Sequence, residues 1–180
     1  MPDSQGKNFV HPEKWTPPPA DWAEAAIQGD GFSARRVLGL GQTLVSGDLN
    51  AASAALGASA PAIGLWQVAE ALPAFVRIAR DRALFVSERP LALEDGWRAK
   101  GFALSSADDA WAVLDVKGEG LADLMADGAT ANLSQGSPSA STLFAGVPCL
   151  LYRAAPDKAR LHVEAPLLSY VWRWLETREG

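Results

Sequence analysis

Three short apolar segments near the C-terminus, Thr142–Ala145, Val147–Tyr152 and Ala159–Val163, are joined by connections too brief to cross over a sheet. Strands linked by about two to five residues must pair antiparallel, because a parallel return needs a dozen residues or more. Gly146-Val147-Pro148 and Ala155-Pro156-Asp157-Lys158 supply the turn chemistry. The segment therefore reads as an antiparallel meander. In its last strand Leu161 and Val163 alternate with Arg160, His162 and Glu164, an alternation that places His162 on a polar, solvated face.

Upstream the same grammar recurs with helices between. Arg35–Ser46 carries Val37, Leu38, Leu40, Leu44 and Val45, strand-like but bent at Gly39 and Gly41. Asp48 is a good N-cap for a helix over Leu49–Leu56, with Gly57 to close it. Phe75, Val76 and Ile78, then Leu84, Phe85 and Val86, flank Ala79–Arg82 as a hairpin with a polar tip. Residues 91–100 fit neither pattern cleanly, since Leu91, Leu93 and Trp97 would line a helix that Gly96 weakens. Phe102–Leu104 and Trp111–Val116 read as strands, and Leu121, Leu124 and Met125 line a helix that Gly128 ends. The sum is an α+β domain, mostly antiparallel sheet with helices packed on it.

The last helix opens at Pro166 and carries Leu167, Leu168, Tyr170, Val171, Trp172, Trp174 and Leu175. At about 100° per residue these positions sweep roughly 200° of the circumference, where packing on one surface takes about 100°. The surplus face needs a second cover, either the chain's own N-terminal arm or a partner. Residues 1–32 form that arm, Pro-broken at Pro12, Pro17, Pro18 and Pro19, with Trp15 and Trp22, and with a short helical turn expected over Ala20–Gln28. Residues 33–180 form the single folded domain. Seven Trp in 180 residues is high, and Trp is enriched at buried interface centres. Trp15, Trp22, Tyr170, Trp172 and Trp174 are accordingly the candidate interface residues.

Composition removes several classes of function. A net charge of -5 with scattered Lys and Arg offers no footprint for nucleic acid. There is no apolar run of spanning length, and the opening Met1-Pro2-Asp3-Ser4-Gln5 is no leader, so a cytoplasmic protein is expected. Cys149, the one cysteine, lies in an apolar run and reads as a buried, inert thiol.

Each candidate for chemistry lacks a necessary member. The histidines are His11 in the arm and His162 in a strand, so neither a metal set nor a nucleophile–base pair assembles from the sequence. Gly39-Leu40-Gly41 begins like a dinucleotide fingerprint but has no third glycine and no long helix after it. Gly118-Glu119-Gly120 lacks the Lys-Ser or Lys-Thr pair of a phosphate loop. Asp115, within an apolar strand, is the one carboxylate worth attention, and alternation puts it on an exposed face.

The order of elements from Ser105 onward resembles the gamma subunit of heterotetrameric sarcosine oxidase, a fold relative of the folate-binding aminomethyltransferases of the glycine cleavage system. The resemblance rests on Ala110–Gly118, on Leu121–Gly128, on Asn132-Leu133 and on Ser139–Arg153. It continues through Leu161–Glu164 and Tyr170–Leu175, and covers about the last 75 residues. It implies a fold built from ferredoxin-like βαβ-type halves. It also implies a non-catalytic, structural subunit of a flavin-dependent complex that oxidises sarcosine or a related secondary amine, with alpha, beta and delta-type partners. In such complexes FAD, FMN, NAD and folate reside in the larger subunits and zinc in delta, so no cofactor is expected in this chain. The aminomethyltransferases carry Gly-Gly and Asp-Asp segments where this chain has Gly146-Val147-Pro148, and folate catalysis is not carried over. The alternative is a stand-alone folate-binding or folate-dependent aminomethyltransferase-like protein.

Overall fold

A computed structural model describes residues 18–58 and 61–178. Its strands are β1 (Ala26–Gly29), β2 (Phe32–Val37), β3 (Gly41–Gly47), β4 (Ala74–Ala79), β5 (Arg82–Ser87), β6 (Gly96–Arg98), β7 (Phe102–Ser106), β8 (Trp111–Lys117), β9 (Ser141–Phe144), β10 (Val147–Ala155) and β11 (Lys158–Glu164). The helices are α1 (Leu49–Leu56), α2 (Leu121–Gly128) and α3 (Leu168–Glu176), the last preceded by a 3-10 turn at Ala165–Leu167.

Local signals account for much of this. Asp48 Oδ1 accepts from Asn50 N and Ala51 N, both at 3.0 Å, and Gly57 closes α1 at φ 70. The β9–β10 hairpin turns through Ala145 and Gly146, at φ 51 and 83, the pair of positive angles that matches strand twist. Val147 and Pro148 therefore belong to β10 and not to the turn expected there. The arm differs as well: Ala26–Gly29 is a strand paired with β2, where a helical turn was expected, because edge pairing supplies hydrogen bonds that a single turn could not. The bent strand expected over Arg35–Ser46 is two strands, β2 and β3, that enter different sheets.

The sheets have the orders β1-β2-β8-β11-β10-β9 and β4-β5-β3-β7-β6, with every strand pair antiparallel. They stack face to face. α2 and α3 cover the outer face of the first sheet, over Leu114, Val116, Leu151, Leu161 and Val163. α1 covers the outer face of the second, with Val45, Phe75, Phe85 and Phe102. Between the sheets lie Val76, Leu84, Val86, Leu150 and Tyr152.

The halves repeat. In β3-α1-β4-β5 and again in β8-α2-β10-β11 the last strand lies between the other two, which therefore run parallel. These are the two split βαβ-type halves that the resemblance implies. Each half lends a hairpin to the other's sheet: β1-β2 flanks β8, and β6-β7 flanks β3. The joint is the same on both sides. Asp48 N donates to Gly101 O at 2.9 Å, and Gly120 N donates to Gly31 O at 2.8 Å, so each lent hairpin's turn meets the chain as it enters a helix.

A Cβ on Gly118, at φ 142, would stand 2.2 Å from Gly31 O and 2.7 Å from Phe32 Cα. Backbone cannot yield there. Gly118→Ala should lower stability by about 3 kcal/mol in urea denaturation, through strain and overlap together. Gly39→Ala, at φ 79 with open space around it, should cost only about 1 kcal/mol.

Candidate functional site

Strands β8 and β11 lie in the middle of a sheet that is covered on both faces, so their alternate residues have no solvent to reach. His162 is 0% exposed and Asp115 is 5% exposed, which corrects the solvated positions expected for both. Stacking of the second sheet buries the face that alternation alone marks as polar.

Burial at this level demands partners, and the chain supplies a connected set. Arg160, directly opposite Asp115 in register, donates Nε–H to Asp115 Oδ1 at 2.7 Å and Nη2–H to Oδ2 at 2.9 Å. Lys158 Nζ lies 3.8 Å from Oδ2 on the outer side. One layer deeper, Gln42 of β3 reaches across from the second sheet. Its Nε2 donates to the Trp111 carbonyl at 2.9 Å, so its Oε1 is the acceptor that faces His162 Nδ1 at 2.7 Å. That contact puts the imidazole proton on Nδ1. Nε2 is then left to accept from the Tyr152 hydroxyl at 3.0 Å.

Each group is held in its neutral or paired form. Burial drives the His162 pKa down to about 3, with the Arg160 charge adding to the effect. Burial also raises the Tyr152 pKa, against the opposing pull of Arg160. Cys149, on the other face of β10, has its thiol pushed up to about 12 by desolvation, in keeping with the inert thiol expected. His162 is thus a neutral imidazole with both ring nitrogens engaged, and Asp115 is committed to Arg160. The set is a polar clamp between sheets. A cleft of about 400 Å³ reaches its outer end, lined by Arg35, Asp115, Lys117, Asp157 and Lys158.

The candidate interface residues fall in different surroundings. Trp15 and His11 lie outside the described residues. Trp172 is 3% exposed, and Trp22 from the arm meets it edge-on, ring centroids 5.2 Å apart at 86°. The Trp172 indole N–H donates to Glu176 Oε1 at 2.9 Å. Trp174 packs edge-on against Phe144 at 5.0 Å, under the Arg178 guanidinium at 4.6 Å. The chain's own arm and β9 thus cover much of the wide apolar face of α3. Tyr170 remains 53% exposed, its hydroxyl donating to the Ala145 carbonyl at 2.9 Å. Trp97, expected to line a weak helix and not counted among the candidate interface residues, is 68% exposed on the edge strand β6. Its signal was the short apolar run broken by Gly96, which suits an edge strand as well as a weak helix.

Gly39 and Gly41 lead into a strand and not into a helix, while Gly118 and Gly120 serve the hairpin joint. Among the described residues no three His, Cys, Asp or Glu side chains cluster as metal ligands, and no helix is long and apolar enough to cross a membrane.

No protein-family model matches the chain, and no curated protein matches it. Among solved structures it is similar to a chain of the heterotetrameric sarcosine oxidase from Corynebacterium sp. U-96 in complex with pyrrole 2-carboxylate. The two share 20% identity, with 88% of this chain and 89% of that chain covered and a TM-score of 0.67. This likeness shows the α+β fold.

The clamp has a pH signature. The unfolded chain takes up a proton at His162 near pH 6.5, but the folded chain does so only near pH 3. Stability is therefore full above about pH 6.5 and falls as the pH drops from there toward 3. Urea denaturation should give about 2 kcal/mol less at pH 5 than at pH 7. His162→Gln should flatten that slope.

Proposed function

We propose that this chain is a gamma-type, non-catalytic subunit of a heterotetrameric, flavin-dependent oxidase of sarcosine or a related secondary amine. The observation that carries the reading is the balance of the structural likeness: 88% of this chain against 89% of the sarcosine oxidase chain. Near-equal shares mean that the two chains are of similar length, so the likeness is to one whole small chain and not to a domain of a large one.

The interior agrees with an assembly role. The best-placed titratable residue, His162, is sealed between sheets with both nitrogens engaged, so it has no lone pair to offer a substrate. FAD, FMN, NAD and folate would then belong to the alpha and beta-type partners, with a delta-type partner completing the set. Among the described residues Tyr170 and Trp97 are the large aromatic surfaces still open to such partners. Trp172, buried by the chain itself, is the wrong residue with which to test contact.

Co-expression with the alpha, beta and delta-type subunits from the same source, followed by native mass measurement, tests the reading. The expected product is a stoichiometric four-chain complex with amine-dependent peroxide formation. Tyr170→Glu or Trp97→Glu should cut its recovery about tenfold while leaving the isolated chain folded. A chain that stays apart from all three partners would overturn the proposal. Saturable tetrahydrofolate binding by that chain alone would favour the folate-binding alternative.

A further inference from the structure

Residues 61–69 strap the two sheets together: Ile63 bridges Val76 of β4, and Val68 bridges Arg153 of β10. Between these bridges Gln67 N donates to Gly64 O at 3.3 Å, and Gln67 Oε1 accepts from Gly64 N at 2.8 Å, closing a four-residue turn. Its third residue is Trp66, at φ 61. Left-handed backbone at that place in a turn is ordinarily given to Gly or Asn, and a large aromatic residue there is disfavoured.

Arg153 holds the strained residue. Its Nε donates to the Trp66 carbonyl at 3.0 Å, and its guanidinium carbon lies 5.6 Å from the indole centroid. The fork is thereby fixed on one edge and one face, and its terminal N–H groups have no protein acceptor among the described residues. Arg153 lines a cleft of about 760 Å³ together with Trp66, Arg77, Gln135 and Ser137. No carboxylate is among the lining residues, and none of the ion pairs among the described residues involves either arginine. Arg77 spends one N–H on the Arg80 carbonyl at 3.2 Å. The Ser137 hydroxyl accepts from Ser139 N at 3.1 Å, which leaves its own proton to donate.

Two guanidinium groups on one cleft, one of them clamped at the expense of backbone strain, call for a negative partner. We propose that this cleft binds the carboxylate or phosphate group of a small soluble anion. Arg153 supplies the bidentate fork, Arg77 the second charge, and Trp66 acts as a positioning residue for Arg153. The proposal stands apart from the subunit reading, since it concerns the isolated chain.

Titration of the full chain with inorganic phosphate and with malonate, followed by calorimetry and tryptophan fluorescence in about 0.1 M salt, tests it. At least one of the two should bind saturably at a single site. Arg153→Gln should weaken that binding about tenfold or more, and Arg153→Lys nearly as much, because it keeps the charge but not the fork. Arg35→Gln, in the other cleft, should leave it unchanged. If Arg153→Gln fails to fold, Arg77→Gln with an expected loss of about tenfold carries the test. Absence of saturable binding by both anions, or wild-type affinity in the folded arginine variants, would overturn the proposal.

Discussion

The contact between Gln42 and His162 ties the two sheets together from within. Apolar residues around it make the interlayer dry, but only this hydrogen bond ties a side chain of β3 to a side chain of β11 through a fixed proton position. The polar groups beside it on the first sheet's inner face have partners of their own. Tyr152 fills the other ring nitrogen of His162, and Arg160, beside Tyr152, is neutralised by Asp115 at the clamp's outer end. Removing any member strands a buried donor or acceptor on its neighbour, so the set works only as a whole. This argues for a specifier of how the sheets align more than for a source of net stability.

Much of the architecture was legible where the cause was local. Asp48 and Gly57 marked α1 because caps act within one turn, and the β10–β11 hairpin followed from Ala155–Lys158 because short connections permit one pairing. The burial of Asp115 and His162 was not legible. Alternation tells the two faces of a strand apart, but it cannot say that a second sheet will cover the polar one, and here the covering sheet comes from residues far away in the chain. β1 escaped for the opposite reason: Ala26-Ile27-Gln28-Gly29 has one large apolar residue, and its strand character comes from pairing with β2.

The aromatic excess proved to have two uses. Trp22 and Trp172 satisfy each other within the chain, as an arm folded over a helix, while Trp97 and Tyr170 stay at the surface. A count of Trp could not separate these groups. Their separation required knowing which elements end next to which. Trp66 belongs to neither: its backbone conformation marks it out, and a backbone angle has no signature in composition.

The exchanged hairpins carry a consequence for how the chain reaches its native state. Each sheet is closed by a hairpin that the other half supplies, so neither half can satisfy its own central strand alone. β8 must wait for β2, more than seventy positions earlier, and β3 must wait for β7, more than fifty positions later. Closing loops of that size before their contacts form is slow, and the halves should order together in one concerted step. A chain cut between them would leave two fragments that are each unfinished until they meet.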